Sequence, residues 1–530
     1  MLDLIIKNGM VLDGSGKRGV LSDVAIQKDR IVEVGLLPGA EALRVVDARG
    51  QIVCPGFVDM HSHTDYTLPI CPSADNLVSQ GITTAVIGNC GTSLAPLFPE
   101  NRAEIIPTLG VLDGPLPWDQ WGDFSSYLSW QQQNGMGVNV VPLLGHNTLR
   151  KGIAGFGAAA TNRAQMKRIQ LEIERAMDGG AFGMSTGLIY PPGLFATTEE
   201  LIDWTRPIGK RGGFYFSHIR NEAWLLLSAV DEAIRIGQET GARVEISHFK
   251  AAFRDNWDLA AQALERIDRA REEGVRVQAD MYPYTSAATY LRTAIPDWAH
   301  DGGAKVLLAR LRSKEERERI VETSKTEGFF RNLDWGTVIF AKAPRMPQCE
   351  GHLITELAEA AGKTPWNWVM DALIETELEV ECFYPMISED NLRLQLGIPW
   401  MMFGTDAEGR PFSGPLTRGL NHPRGFGTFP RILGRYVREE HVLTLEDAIH
   451  RMTGLPAEFL HLQDRGVIKA GVRADLVVFD AKGILDHSEY VSPYQKNSGI
   501  QSVLVNGQFA VDQGELTGVC AGEVIPFSKN

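Results

Sequence analysis

Residues 1–54 alternate short apolar runs with tight polar breaks. The runs "DLIIKNGMVLD", "DVAIQKDRIVEVG" and "RVVDARGQIVCPG" are interrupted at Asn-Gly, Lys-Asp and Arg-Gly. This is the texture of short β-strands joined by turns. It returns near the other end of the chain in "ADLVVFD" and "IQSVLVNGQFAVDQG". Such strands cannot bury both faces alone. The pattern therefore predicts one small β-unit built from both ends, residues 1–54 and 461–530.

Between them, across 55–460, the period changes. Eight short apolar segments read as strands: "GFVDMHSH", "TTAVIG", "VNVVPLLGH", "FGMSTGL", "GFYFSHI", "VEISHF", "VQADMYPY" and "WMMFGTD". Amphipathic helical stretches separate several of them, including "RAQMKRIQLEIERAMDGG", "LLLSAVDEAIRIGQETG" and "AAQALERIDRAREEG". The last two stop at Gly, a common helix terminator. Strands alternating with crossover helices predict a parallel sheet, and eight of them predict an α/β fold of the (β/α)8 barrel type, with a doubly wound open sheet as the competitor. The seventh and eighth strands are too far apart for one crossover. The segment at about 286–345 thus reads as an insertion, helical in "KVLLARLRSKEERERI" and extended in "WGTVIFAK". Its placement predicts a cover over the end of the barrel.

Composition narrows the partners. Lys and Arg number 52 against 66 acids, a net charge of −14, which argues against nucleic acid, since phosphate binding needs a basic surface. "MLDLIIKNGMVLDGSG" lacks the basic start and long apolar run of a signal peptide, and no apolar stretch is long enough to span a membrane. Six scattered cysteines do not form a disulfide framework. These features predict a cytoplasmic enzyme and leave room for a homo-oligomer.

The chemistry lies at the strand ends. The first strand candidate carries His61 and His63, flanked by Asp59 and Asp65. The second runs into "GNCG" with Cys90. The fifth ends in "SHIRNE" with His218, the sixth in "SHFK" with His248 and Lys250, and the eighth in "GTD" with Asp406. A barrel builds its active site at the C-terminal ends of its strands, so these residues converge on one rim. Alternation with period two puts His61 and His63 on the same side. Imidazole, thiolate and carboxylate form the zinc ligand set, and zinc lowers the pKa of bound water to about 7. A lone Cys or His is more often a core residue. The two "SH" corners on consecutive strands, with His-x-His and "GTD", reverse that reading. His146, at the end of the third strand, reads as structural.

"GFVDMHSHTD" resembles the first-strand signature of the amidohydrolase superfamily, and "DLIIKNGMVLDGSG" and "RGVIKAGVRADLVVFD" resemble its flanking β-strands. Within it, "GNCGTSLAPL", "STGLIYPPGLFAT", "FSHIRNE", "EISHFKAA", "DMYPYT" and "HPRGFGTFPRILG" resemble the N-acyl-D-amino-acid deacylases, or D-aminoacylases, over nearly the whole chain. Other branches bridge two metals with a carboxylated lysine on the fourth strand. This chain has "FGMSTGL" there, and the resemblance implies that Cys90 bridges instead. It further implies that Cys90, His218 and His248 hold one tightly bound zinc, with His61, His63 and Asp406 forming a second, weaker site.

Asp406 is the expected general acid–base, taking a proton from the attacking water and passing it to the departing amine. A helix N-cap is the bland alternative. For the substrate's free carboxylate the resemblance nominates Lys250, Arg424, Tyr190, Tyr282 and Tyr284, with one of the last two packing beneath the strand end. Between "GTD" and "HPR" the stretch "AEGRPFSGPLTRGLN" is longer than in compact members and adds Arg410 and Arg418. The implied reaction is zinc-dependent hydrolysis of an N-acyl-D-amino acid, its stereochemistry resting on the resemblance alone. A cyclic amide or larger dipeptide-like amide is the alternative substrate, and a scaffold that has lost its chemistry is the alternative class.

Overall fold

Eight parallel strands follow one another around a closed wall. The computed structural model describes residues 1–109, 115–331 and 333–528. The wall runs through Phe57–Asp59, Ile82–Ile87, Asn139–Pro142 with Leu144–Gly145, Gly183–Gly187, Phe214–His218, Arg243–Ile246, Val277–Met281 and Met401–Phe403. Every neighbouring pair is parallel. Met60 donates its N–H to Phe403 O at 3.0 Å, closing last strand onto first. Closure rules out the open sheet. These strands read as apolar runs because their residues are buried on both faces, as throughout Ile82–Ile87.

The surrounding helices form where period and caps agree. Arg163–Asp178 starts from an Asn162 capping box and buries Ile169, Ile173, Ala176 and Met177 against the wall. Leu226–Thr240 ends at Gly241, whose φ of 75° suits glycine. Leu259–Glu272 buries Ala260, Ala263, Leu264, Ile267 and Ala270 and is followed by Gly274 at φ 90°.

The chain ends meet in a nine-stranded sheet. Leu476–Phe479 lies antiparallel to Ile52–Pro55, which in turn lies beside Leu2–Val11. Leu4, Ile6, Val24, Ile26 and Val53 pack with Leu476, Val478 and Leu504 in one core. The tail then leaves this sheet for the barrel floor: Ile525 N–H bonds Val140 O and Phe527 N–H bonds Gly180 O, both at 2.9 Å. The Phe527 ring packs edge-on against Phe182 at 5.5 Å.

Between the seventh and eighth barrel strands stands a three-stranded antiparallel sheet of Ser286–Tyr290, Glu381–Pro385 and Ile339–Lys342, with the second in the middle. The inserted structure therefore runs well past 345. The helices Ile354–Ala360 and Pro365–Glu375 look like barrel crossovers in sequence, yet they return the chain to this small sheet. Among the described residues, no helix is long and apolar enough to cross a membrane.

Candidate metal centre

The rim residues named from sequence come together. Cys90 Sγ lies 3.3 Å from His61 Nε2, 3.6 Å from His218 Nδ1 and 3.5 Å from His248 Nε2. Asp406 Oδ1 lies 3.6 Å from His61 Nε2 and 3.2 Å from His63 Nε2. One ligand atom each from His61, Cys90, His248 and Asp406 falls within a 4.8 Å span. His61 and His63 sit just beyond the first strand, which ends at Asp59. The chain turns there, and both rings still reach Asp406.

Three of these residues hold left-handed backbones: Cys90 at φ 51°, His248 at 37° and Asp406 at 48°. Non-glycine residues rarely adopt that region, and such strain clusters where a site requires a fixed side-chain direction. For Asp406 this replaces the helix-cap reading.

Carboxylates stand behind the imidazoles. Glu222 Oε1 is 3.0 Å from His248 Nδ1 and 2.6 Å from Lys250 Nζ, and its Oε2 is 3.9 Å from His218 Nε2. Asp280 Oδ2 is 3.5 Å from His61 Nδ1. Asp59 accepts from the His61 N–H at 3.2 Å and the Thr405 N–H at 2.8 Å, tying the first strand to the loop that carries Asp406. Such outer carboxylates orient metal-binding imidazoles.

The electrostatics favour a cation. Burial disfavours charge on the His61 ring, yet Cys90 and Asp280 outweigh it and raise its pKa to about 10. Burial likewise opposes ionisation of Cys90, but His61, His218 and His248 pull its thiol well below the usual range. Burial also works against the Asp406 anion, and Arg424 with His248 and His63 holds it well below the usual carboxylate range. Buried nitrogen, sulfur and oxygen donors at this spacing fit zinc.

A pocket opens over the centre. Lys250, Arg424, Tyr190 and Tyr282 line it, together with Thr289, Tyr290 and Arg292 of the insertion, which is thus part of the pocket wall. Tyr190 Oη is 3.0 Å from Thr289 Oγ1. The Arg424 guanidinium lies 4.6 Å over the Tyr282 ring. Tyr284 does not join them. Its hydroxyl turns to Asp486 Oδ2 at 3.4 Å and its ring lies under Arg431. His146 is buried at the start of the helix His146–Ile153, its ring 4.5 Å from Trp204 and its Nδ1 3.0 Å from Asn147 Oδ1. Arg410 is buried and faces Glu408 at 3.4 Å, while Arg418 is exposed.

Residues 44–511 match the amidohydrolase family model. The chain is 36% identical over 509 residues to N-acyl-D-glutamate deacylase of Alcaligenes xylosoxydans xylosoxydans, covering 96% of this chain and 93% of that one. The chain belongs to the N-acyl-D-amino-acid deacylases of the amidohydrolase family. Among family members, D-aminoacylase of the same organism is 33% identical over 531 residues, 99% of this chain and 97% of its own. The crystal structure of N-acyl-D-glutamate deacylase from Bordetella bronchiseptica, complexed with zinc and a phosphonate inhibitor that mimics the tetrahedral intermediate, superposes with a TM-score of 0.84. It shares 33% identity, and the match covers 99% of this chain and all of that one.

Sequence reasoning missed Glu222 and Asp280, and it named Asp59 without foreseeing its bond to the loop that carries Asp406. "SHIRNE" and "QADMYPY" did display the first two four and two positions from named residues. Spacing alone gives no sign that they turn toward the imidazoles.

Proposed function

We propose that this chain hydrolyses N-acyl-D-amino acids to a carboxylate and a free D-amino acid, with zinc as its metal. The D configuration rests on the relatives' activities. Cys90, His218 and His248 would hold the tight zinc, and His61, His63 and Asp406 a weaker one, with Cys90 facing both groups. When bound, zinc polarises an amide carbonyl and makes water acidic enough to attack at neutral pH.

The chain's own groups do the rest. Asp406 Oδ1 takes a proton from the attacking water and delivers it to the amide nitrogen as the C–N bond breaks. Lys250 and Arg424 bind the substrate's free carboxylate, beside Tyr282 and Tyr190. The inserted sheet narrows access and excludes bulk water. Scattered unpaired cysteines support a reducing, cytoplasmic setting for this reading.

The observation that carries the proposal is the position of Asp406. It faces two imidazoles with one oxygen and Arg424 with the other. The test is amine release from matched N-acetyl-D- and N-acetyl-L-amino acids by zinc-loaded protein, with Asp406→Asn as control. D-selective release that disappears in the control is expected. No release from either series, with zinc bound, would overturn the proposal in favour of a cyclic or larger amide.

A further inference from the structure

His422 lies outside the metal centre, yet it joins the parts of the pocket that matter for the substrate. Its imidazole is buried and boxed by aromatic rings, with centroids 5.0 Å from Tyr490, 5.3 Å from Phe383 and 5.5 Å from Tyr284. Nδ1 accepts the backbone N–H of Arg424 at 3.1 Å. Nε2 faces Ser286 O, on the first strand of the inserted sheet, at 3.0 Å. A carbonyl can only accept and an amide N–H can only donate. These partners therefore fix the ring as neutral with its proton on Nε2. Burial, and then the neighbouring Arg424 charge, push its pKa well down, in agreement with that tautomer.

Arg424 needs such an anchor. It opens the helix Arg424–Arg431, which has no side-chain cap. Its Nε makes no hydrogen bond among the described residues, and the guanidinium is held by Asp406 and the face of Tyr282. A substrate carboxylate that engages Arg424 loosens its hold on Asp406. The backbone at Arg424 must then keep the side chain in place, and the bond to His422 is the polar link from that N–H to the inserted sheet.

We propose that His422 is a positioning residue that locks Arg424 to the inserted sheet and so sets the affinity for the substrate's carboxylate. This rests on the reading of Arg424 as a carboxylate clamp.

Two variants separate the two bonds. His422→Asn keeps an acceptor near Nδ1 and loses the donor to Ser286. His422→Gln keeps a donor near Nε2 and loses the acceptor for Arg424. Zinc-loaded protein is assayed for KM and kcat on an N-acetyl-D-amino acid and for inhibition by the free D-amino acid product, with thermal unfolding alongside. His422→Gln is expected to raise KM and the product inhibition constant together, roughly tenfold, the scale of leaving one buried backbone N–H without its acceptor, with kcat changed less. His422→Asn cuts the same link at its Ser286 end and is expected to raise both constants in the same direction.

KM unchanged in His422→Gln, with only the melting temperature lowered, would overturn the inference as a purely structural role. If one variant fails to fold, the other still decides: a raised KM with kcat changed less supports the inference, and a parent-like KM overturns it. Arg424→Met separates the two levels. If it leaves KM unchanged, the clamp itself fails. If it raises KM while His422→Gln does not, the clamp stands and the positioning role falls.

Discussion

Arg424 Nη1 stands 2.8 Å from Asp406 Oδ2. The proposed proton carrier and the proposed carboxylate clamp are thus one buried ion pair before substrate arrives. Asp406 acts as a base only when ionised, and the Arg424 charge, working against burial, keeps it so at low pH. Arg424→Met removes that cation, so the Asp406 pKa rises and the acidic limb of kcat/KM moves to higher pH. KM rises too. A pH profile of the variant checks both, and an acidic limb that stays in place or moves down sinks the coupling.

Glu222 faces the outer nitrogens of two imidazoles and the Lys250 ammonium. Glu222→Gln keeps the shape and removes the charge. Zinc affinity is expected to fall about 10- to 100-fold, the usual cost of losing an outer carboxylate. Competition against a chelator measures this without any substrate. Unchanged affinity would mean that Glu222 serves Lys250 alone.

Two neighbouring tyrosines should behave differently. The buried Tyr282 hydroxyl makes no hydrogen bond among the described residues, and the side chain lines the pocket. Tyr284 is committed to Asp486 and Arg431. Tyr282→Phe should raise KM several-fold, on the scale of about 1 kcal/mol for a neutral hydrogen bond. Tyr284→Phe should leave KM unchanged. The reverse ranking would reject this division of roles.

His146 links pH to stability. Burial lowers its pKa from 6.5 to about 4. Between those values the unfolded chain takes up a proton that the folded ring refuses, so this residue's contribution falls as pH drops from 6.5 toward 4. His146→Gln abolishes that loss. The stability difference between parent and variant, measured by denaturant unfolding, should move toward the variant across this window. A difference independent of pH would show that the ring charges in place.

The clustering of His61, His63, Cys90, His218, His248 and Asp406 was legible because each stands at or just past the C-terminal end of a barrel strand, and the rim gathers those ends. What escaped the sequence depends on loop paths. Glu222 lies four residues past His218 on a segment that folds back over the sixth strand end, and no periodicity describes such a turn. Tyr282 and Tyr284 share a parity, yet the chain leaves the strand after Met281, and only Tyr282 stays on the pocket side. The insertion's far boundary was hidden because "ECFYP" is a single short strand between helices of ordinary barrel length.

The sheet shared by the two chain ends sets a timetable for synthesis. Ile52–Pro55 finds its neighbour in Leu476–Phe479, more than four hundred residues downstream. At a ribosomal rate of about 5–20 residues per second, the early strands wait on the order of twenty seconds or more with one edge open. An open edge is a template for wrong partners. A nascent chain stalled anywhere between residues 55 and 476 would expose that edge for good, so even an arrest that comes after most of the barrel has been made leaves a sticky fragment behind.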